Sequence, residues 1–222
     1  MVGVEEWLMF VVLGVTLATL ASFALGTRAN VHTGERVAKW MQDGLPIISD
    51  KTTMTWIGSA ALLFKMAKAK GPYRSAEIVL SFEPRDLVLR WLWARWHGRR
   101  DVMIFRGTLT EAPHFELEIF DPQGWMNRDA MERVQQKSWT QVNLPDSNLR
   151  AYGVGTLDPA FVRALMTCAT QAGGRLTRLS LRRNLPNVEI HWLLPNPKTV
   201  SARAWFRDVR EIGQQALKAD VS

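Results

Sequence analysis

Cysteine is almost absent: Cys168 is the single thiol in 222 residues. No disulfide can form within the chain and no Cys-based zinc site can be built, so nothing argues for an oxidising compartment. Cys168 lies in an apolar helical run and reads as a small buried hydrophobe rather than a nucleophile. Catalytic signatures are also missing. The four histidines, His32, His97, His114 and His191, sit in four different elements without the spacing of H-E-x-x-H. There is no P-loop, no G-x-S-x-G and no dinucleotide glycine signature. Gly153-Val154-Gly155 precedes a helix start but lacks the third glycine. Glu116 and Glu118 alternate along a strand and read as its solvated face. The chain is therefore expected to be non-enzymatic, with no cofactor, no metal and no small-molecule substrate.

Basic residues are missing from the first 26 positions, which hold Glu5 and Glu6. The whole chain carries +7, so the part beyond residue 26 carries +9. That excess points to anionic partners such as lipid headgroups, RNA or acidic protein faces, or to a merely soluble basic surface. Charge of either sign is absent from Trp7 to Leu25 (WLMFVVLGVTLATLASFAL). At roughly 1.5 Å per residue this run spans about 28 Å, close to the hydrocarbon thickness of a bilayer. A cleaved signal peptide is the alternative, with Ser22-Phe23-Ala24 as its small-residue site. The acidic start and the length of the run favour an uncleaved anchor. Arg28, Arg36 and Lys39 follow it closely, so the positive-inside rule places the C-terminal part in the cytoplasm and the N-terminus outside or in a lumen. Gly14, Ala18, Ala21 and Ser22 share one side of this helix, and small residues so spaced let a second helix approach.

Beyond the anchor the reading is an α+β fold: antiparallel sheet with helices, divided as 1–26 anchor, 27–74 juxtamembrane helix and connector, and 75–222 cytoplasmic domain. Residues 28–44 continue as a helix that Gly44-Leu45-Pro46 ends. Met54–Ala67 is either a buried helix or a strand. Ala76–Phe82 is a strand, and Glu83-Pro84 starts a helix to His97 that Gly98 stops. Val102–Leu109 and His114–Phe120 form two strands around a turn at Ala112-Pro113. Gly124–Gln136 is helical, and Trp139–Leu144 and Arg150–Val154 are short strands. Asp158-Pro159 starts a helix that Gly173-Gly174 ends, followed by a hairpin of Leu176–Arg182 and Val188–Leu194. Ser201 caps a last helix to Lys218. A shift of about 75 residues superimposes two strand–helix–hairpin units, at about 76–122 and 150–197.

The helix Asp86–His97 (DLVLRWLWARWH) is the unusual segment. Asp86, Arg90 and His97 make a narrow polar stripe, while Leu and Trp cover nearly everything else. Such a helix is either a large core helix with Arg95 snorkelling, the reading its apolar coverage favours, or it meets a partner or lipid. In the second case Arg90, Trp93, Arg95, Trp96, Arg99 and Arg100 carry the contact. Arg99-Arg100 and Arg182-Arg183 close corresponding parts of the two units. They either face phosphates or keep the surface soluble.

The order of these features resembles the calumin family, coiled-coil-domain proteins of the endoplasmic reticulum that belong to the PAT complex. The likeness covers about residues 7–218. It comprises the anchor with a basic exit, a helix carrying Trp40, the Arg85-Asp86-Leu87 helix with Leu92 and Ala94-Arg95, a strand pair, and Leu144-Pro145-Asp146-Ser147. A helix, a hairpin and the last helix near Trp205–Lys218 complete it. The resemblance implies a minimal form without the family's lumenal acidic region and C-terminal coiled coil. It also implies a non-catalytic accessory or chaperone role in membrane-protein biogenesis beside a translocon or insertase, with a possible ribosome, RNA or anionic-lipid contact. Two other readings compete: a structural subunit of a larger respiratory or photosynthetic membrane complex, and a peripheral lipid-binding or enzymatic domain.

Overall fold

The computed structural model describes residues 3–144, 147–154, 157–171 and 173–219. Pro145 and Asp146 of the Leu144–Ser147 motif, and Gly155, lie outside the described residues.

The apolar run and the segment after it form one helix, α1 (Val4–Met41). Its apolar first part is exposed along its length and is long and apolar enough to cross a membrane. Its last turns change character: Val37 and Met41 are buried in the domain core. A glycine inside a helix costs about 1 kcal/mol relative to alanine, and Gly26 has a packing reason to be there. A Cβ at Gly26 would overlap the backbone of Arg85.

After a single 3-10 turn at Leu45–Ile47, the segment left open between helix and strand is built as two strands, β1 (Thr53–Ile57) and β2 (Ala61–Met66). Then come β3 (Tyr73–Ser81), α2 (Val88–Trp96), β4 (Val102–Leu109), β5 (Glu116–Phe120), α3 (Arg128–Gln136), β6 (Thr140–Val142) and β7 (Arg150–Val154). The chain closes with α4 (Pro159–Gln171), β8 (Leu176–Leu181), β9 (Val188–Leu193) and α5 (Ala202–Lys218). Among the described residues the nine strands join one antiparallel sheet in the order β1-β2-β3-β4-β9-β8-β5-β7-β6.

Two expectations are corrected by the pairing. β4 and β5 do not form a hairpin: β4 pairs with β3 and β9, and β5 with β7 and β8. The element order strand–helix–strand–strand recurs in the two units, but the pairing does not. β3 lies beside β4, whereas β5 separates β7 from β8. Each unit lends its last strand to the other, β9 to β4 and β5 to the β7/β8 pair, so the units interlock instead of folding as repeats. A turn signal such as Ala112-Pro113 marks where the chain bends, not which strand receives it. The end signals hold. Asp158 Oδ1 accepts from the Ala160 N–H at 2.8 Å, Ser201 Oγ from the Ala204 N–H at 3.4 Å. Gly98 and Gly173 take the left-handed conformation after their helices.

One face of the sheet packs on α4, α5 and the end of α1. Its strands contribute Leu62, Phe64, Ile78, Leu80, Met103, Phe105, Leu117, Ile119, Leu179, Leu181 and Ile190, alternating as a half-buried sheet requires. Tryptophans tie the helices to it. Trp205 packs edge-on to Trp192 (4.7 Å) and Trp40 (6.3 Å). Trp192 and Trp40 each donate an indole N–H, at 2.7 Å, to the Ala169 and Val200 carbonyls. The buried Tyr73 hydroxyl donates to the Val209 carbonyl at 2.7 Å, and its burial pushes the phenol well above its usual range. Cys168 is half-buried and packs against this core, its thiol raised by burial and accepting from the Gln215 amide.

Candidate functional site: the seat of helix α2 on helix α1

Helix α2 starts at Val88, four residues later than Glu83-Pro84 announced. The intervening residues are spent on holding the segment to the rest of the chain. Glu83 is buried and accepts from the Trp91 indole N–H and from Arg95 Nη1 (3.1 Å). Arg85 bridges Asn30 of α1 (2.7 Å) and Asp101 (2.8 Å), and Asp101 also caps the Glu83 N–H at 2.7 Å. The buried Asn30 donates to the Glu83 carbonyl at 3.2 Å. Above this, Ser22 of α1 donates to the Asp86 carbonyl (3.3 Å) and accepts from the Val88 N–H (3.2 Å). The start of α2 is therefore fastened to α1 by side chains and by the close approach at Gly26.

The rest of α2 is not core, contrary to the expectation its composition favoured. Ala94 is its one buried residue. Leu89, Trp93 and Trp96 are 84%, 61% and 86% exposed, and Leu92 is exposed beside them. Leu87, Val88 and Leu89 face Val15, Ala18, Thr19 and Ser22 across an apolar groove, with Arg90 at its edge. Apolar side chains this exposed and this contiguous mark a contact surface rather than a solvated one.

The expected site residues divide accordingly. Arg90, Trp93 and Trp96 are exposed on α2, with Trp93 and Trp96 each in ring contact with His97. Arg95 is committed internally, to the buried Glu83. Arg100 turns back onto the Arg95 and Arg99 carbonyls (2.9 and 2.7 Å), and Arg99 lies over the Trp125 ring at 5.1 Å. On α1, Ser22 and Ala18 border the groove, while Gly14 and Ala21 stand open. The small-residue face of α1 thus already receives one neighbour from its own chain. Of the residues that build the seat, Glu83 reads in sequence as a helix start and Asp86 as part of a polar stripe, while nothing marks Asn30 as their partner on α1.

The opposite face of the sheet corrects a second expectation. Glu118 is not solvated but 0% exposed. It accepts from Arg133, from Arg178 Nε (3.3 Å), from Arg182 Nε (3.2 Å) and from Ser180. Arg178, itself 2% exposed, also holds Asp129 at 2.9 Å, and its charge pulls the Asp129 carboxyl below its usual range despite partial burial. Helix α3 causes the burial: it lays Ala130 and Val134 over Phe120 and brings Arg133 onto Glu118. The row continues across the strands through Glu189, Arg106 and Glu77. Burial opposes the Glu189 carboxylate, but the His191 hydrogen bond (2.7 Å) and the charges of His191, Arg182 and Arg106 outweigh it. Its pKa falls to about 2. Arg182 belongs to this network, and Arg183 donates to the His114 carbonyl, so neither is a free phosphate-binding pair. These charges neutralise one another within the sheet. The alternation Arg178-x-Ser180-x-Arg182 opposite Glu189-x-His191 was the readable signal of a polar row.

Among the described residues no group of three His, Cys, Asp or Glu side chains converges to hold a metal ion. No known protein family matches this sequence, and no curated protein does either.

Proposed function

We propose that this chain is a single-pass membrane protein whose domain faces the cytoplasm and serves as an accessory factor in membrane-protein biogenesis, with α2 as the surface that receives a membrane-embedded partner. The observation that carries the reading is the seat of α2: its Leu/Trp face is exposed and fastened alongside the apolar segment of α1. The groove reaches from Ser22 up to Val15, and Leu25 ends the uncharged run. At 1.5 Å per residue that is about 15 Å into the apolar segment. Leu87, Val88 and Leu89 then lie within hydrocarbon, Trp93 and Trp96 suit the headgroup level, and Arg90 reaches back toward it. Between α1 and α2 the surroundings are apolar on two sides and open on the third, a shape suited to a transmembrane segment of another protein. The likeness in element order to the calumin family supports the same role.

The test combines a photo-crosslinking residue at Leu92 with a mild-detergent pull-down, with and without nuclease. Crosslinks to translocon or insertase subunits or to nascent membrane proteins, with ribosomal RNA that nuclease removes, are expected. The Trp93→Ala/Trp96→Ala double variant should lose them while keeping its fold. Stoichiometric recovery of one defined membrane complex without ribosomes would make the chain a structural subunit instead.

A further inference from the structure

A second site lies at the end of the sheet nearest the apolar segment of α1. Gly26 meets Arg85, just beyond β3, and Gly34 meets Phe82. Those glycines are about 12 Å apart along the helix, so the chain leaving β3 climbs toward the anchor. In the antiparallel sheet the end of β3, the start of β4, the end of β9, the start of β8 and the end of β5 share that edge. A cleft of about 280 Å³ opens there between Arg100 before β4, Arg175 before β8, and the 121–127 turn that carries Trp125 and Asn127.

Its chemistry is specific. Arg100 uses one nitrogen on two carbonyls and keeps other N–H donors for the cleft. Arg175 is exposed, and its guanidinium lies 3.8 Å from Asp121. Arg99, 5.1 Å over the ring of the lining Trp125, adds positive charge behind that wall. At the base sits Asn127, 2% exposed. Its amide nitrogen donates to the Asp121 and Thr177 carbonyls, both at 2.9 Å. Its Oδ1 is buried and has no partner among the described residues. A buried acceptor left unpaired is costly, and it marks the place of a donor. The cleft therefore asks for an anion at its rim and a hydrogen-bond donor, preferably cationic beside Asp121, at its base.

We propose that this cleft binds a phosphoethanolamine group, its phosphate between Arg100 and Arg175 and its primary ammonium on Asn127 Oδ1 and the Asp121 carboxylate. Trp125 walls the connecting carbons. The volume lies just below the roughly 300–1,000 Å³ of drug-sized pockets and suits a headgroup with its chains left outside. Reading a phospholipid as the source rests on α1 being a membrane anchor, but not on α2 receiving a partner.

The experiment uses the full chain in nanodiscs or mild detergent, with bound lipid read by native mass spectrometry. Phosphatidylethanolamine should be retained at least tenfold over phosphatidylcholine, whose quaternary nitrogen has no N–H for Asn127. Arg175→Glu, a change at an exposed side chain, should abolish that preference. Arg163→Glu on the exposed side of α4 makes the same charge change and should leave it intact. Trp93→Ala/Trp96→Ala should also leave it intact, which separates this site from the α2 reading. Soluble phosphoethanolamine, followed by tryptophan fluorescence, identifies the source. Competition with the lipid supports a bilayer headgroup, and binding without lipid recognition supports the same site fed from solution. Equal retention of both lipids with no binding of the soluble compound overturns the proposal, as does equal behaviour of the Arg175 and Arg163 variants.

Discussion

Trp96 is 86% exposed and Glu118 is 0% exposed. The tryptophan belongs to a segment whose composition asks for burial, yet it stands in the open on α2; the glutamate alternates like a solvated strand residue, yet it is sealed under α3. Replacement should reveal the difference. Trp96→Ala should change stability by no more than about 0.5 kcal/mol, as expected for exposed positions. Glu118→Ala removes the buried acceptor shared by Arg133, Arg178, Ser180 and Arg182, leaving Arg178 only its 2.9 Å pair with Asp129, and should cost about 3 kcal/mol. Urea titration of the two variants checks both. Glu189 gives a pH prediction. Its folded pKa of about 2 lies below the ordinary 4.5, so its contribution is present above 4.5 and is lost as pH falls from there toward 2. Glu189→Gln should therefore flatten the acid limb of the stability profile, measured by urea titration between pH 7 and 3. Period-two alternation told correctly that Glu116 and Glu118 share one face of β5. It could not tell that α3, eight residues beyond the strand, would cover one of them.

At the scale of elements, the informative object is the junction of α1 with α2. The long apolar run, the basic residues after it and the aromatic helix were all legible, because each is a local composition. The place where they meet was not. Gly26 and Ser22 look like ordinary small residues of an apolar helix until the Arg85–Val88 segment is laid on them. Gly26→Leu should push that segment away and loosen α2 without disturbing the sheet. Hydrogen exchange should then rise at least tenfold in the amides of Leu87–Trp91 while those of β4 and β9 keep their protection. The same junction explains why α2 starts late: Glu83, Arg85 and Asp86 spend their polar groups on Asn30, Asp101 and Ser22 instead of on a first helical turn.

At the scale of the molecule, α1 belongs to two environments. Its first part is exposed apolar helix, and its last turns place Val37, Trp40 and Met41 in the domain core. A fragment beginning at residue 27 should unfold cooperatively on heating. One beginning at residue 45 loses the buried Val37 and Met41 side chains, several kcal/mol of packing, and should melt at least 10 °C lower or fail to fold. The sequence by itself determined what is local: an apolar run long enough for a membrane, the α+β class, the strands from β3 onward, and the caps at Asp158, Ser201, Gly98 and Gly173. Hydrophobic period, charge and turn chemistry act over a few residues and need no partner to be read. Only the tertiary structure decided the pairing of β9 with β4 and of β5 with β7 and β8, the burial of Glu118, and the exposure of α2 beside the apolar part of α1. Each depends on which distant surface arrives to cover a residue, and that choice is made by the packing of the whole chain.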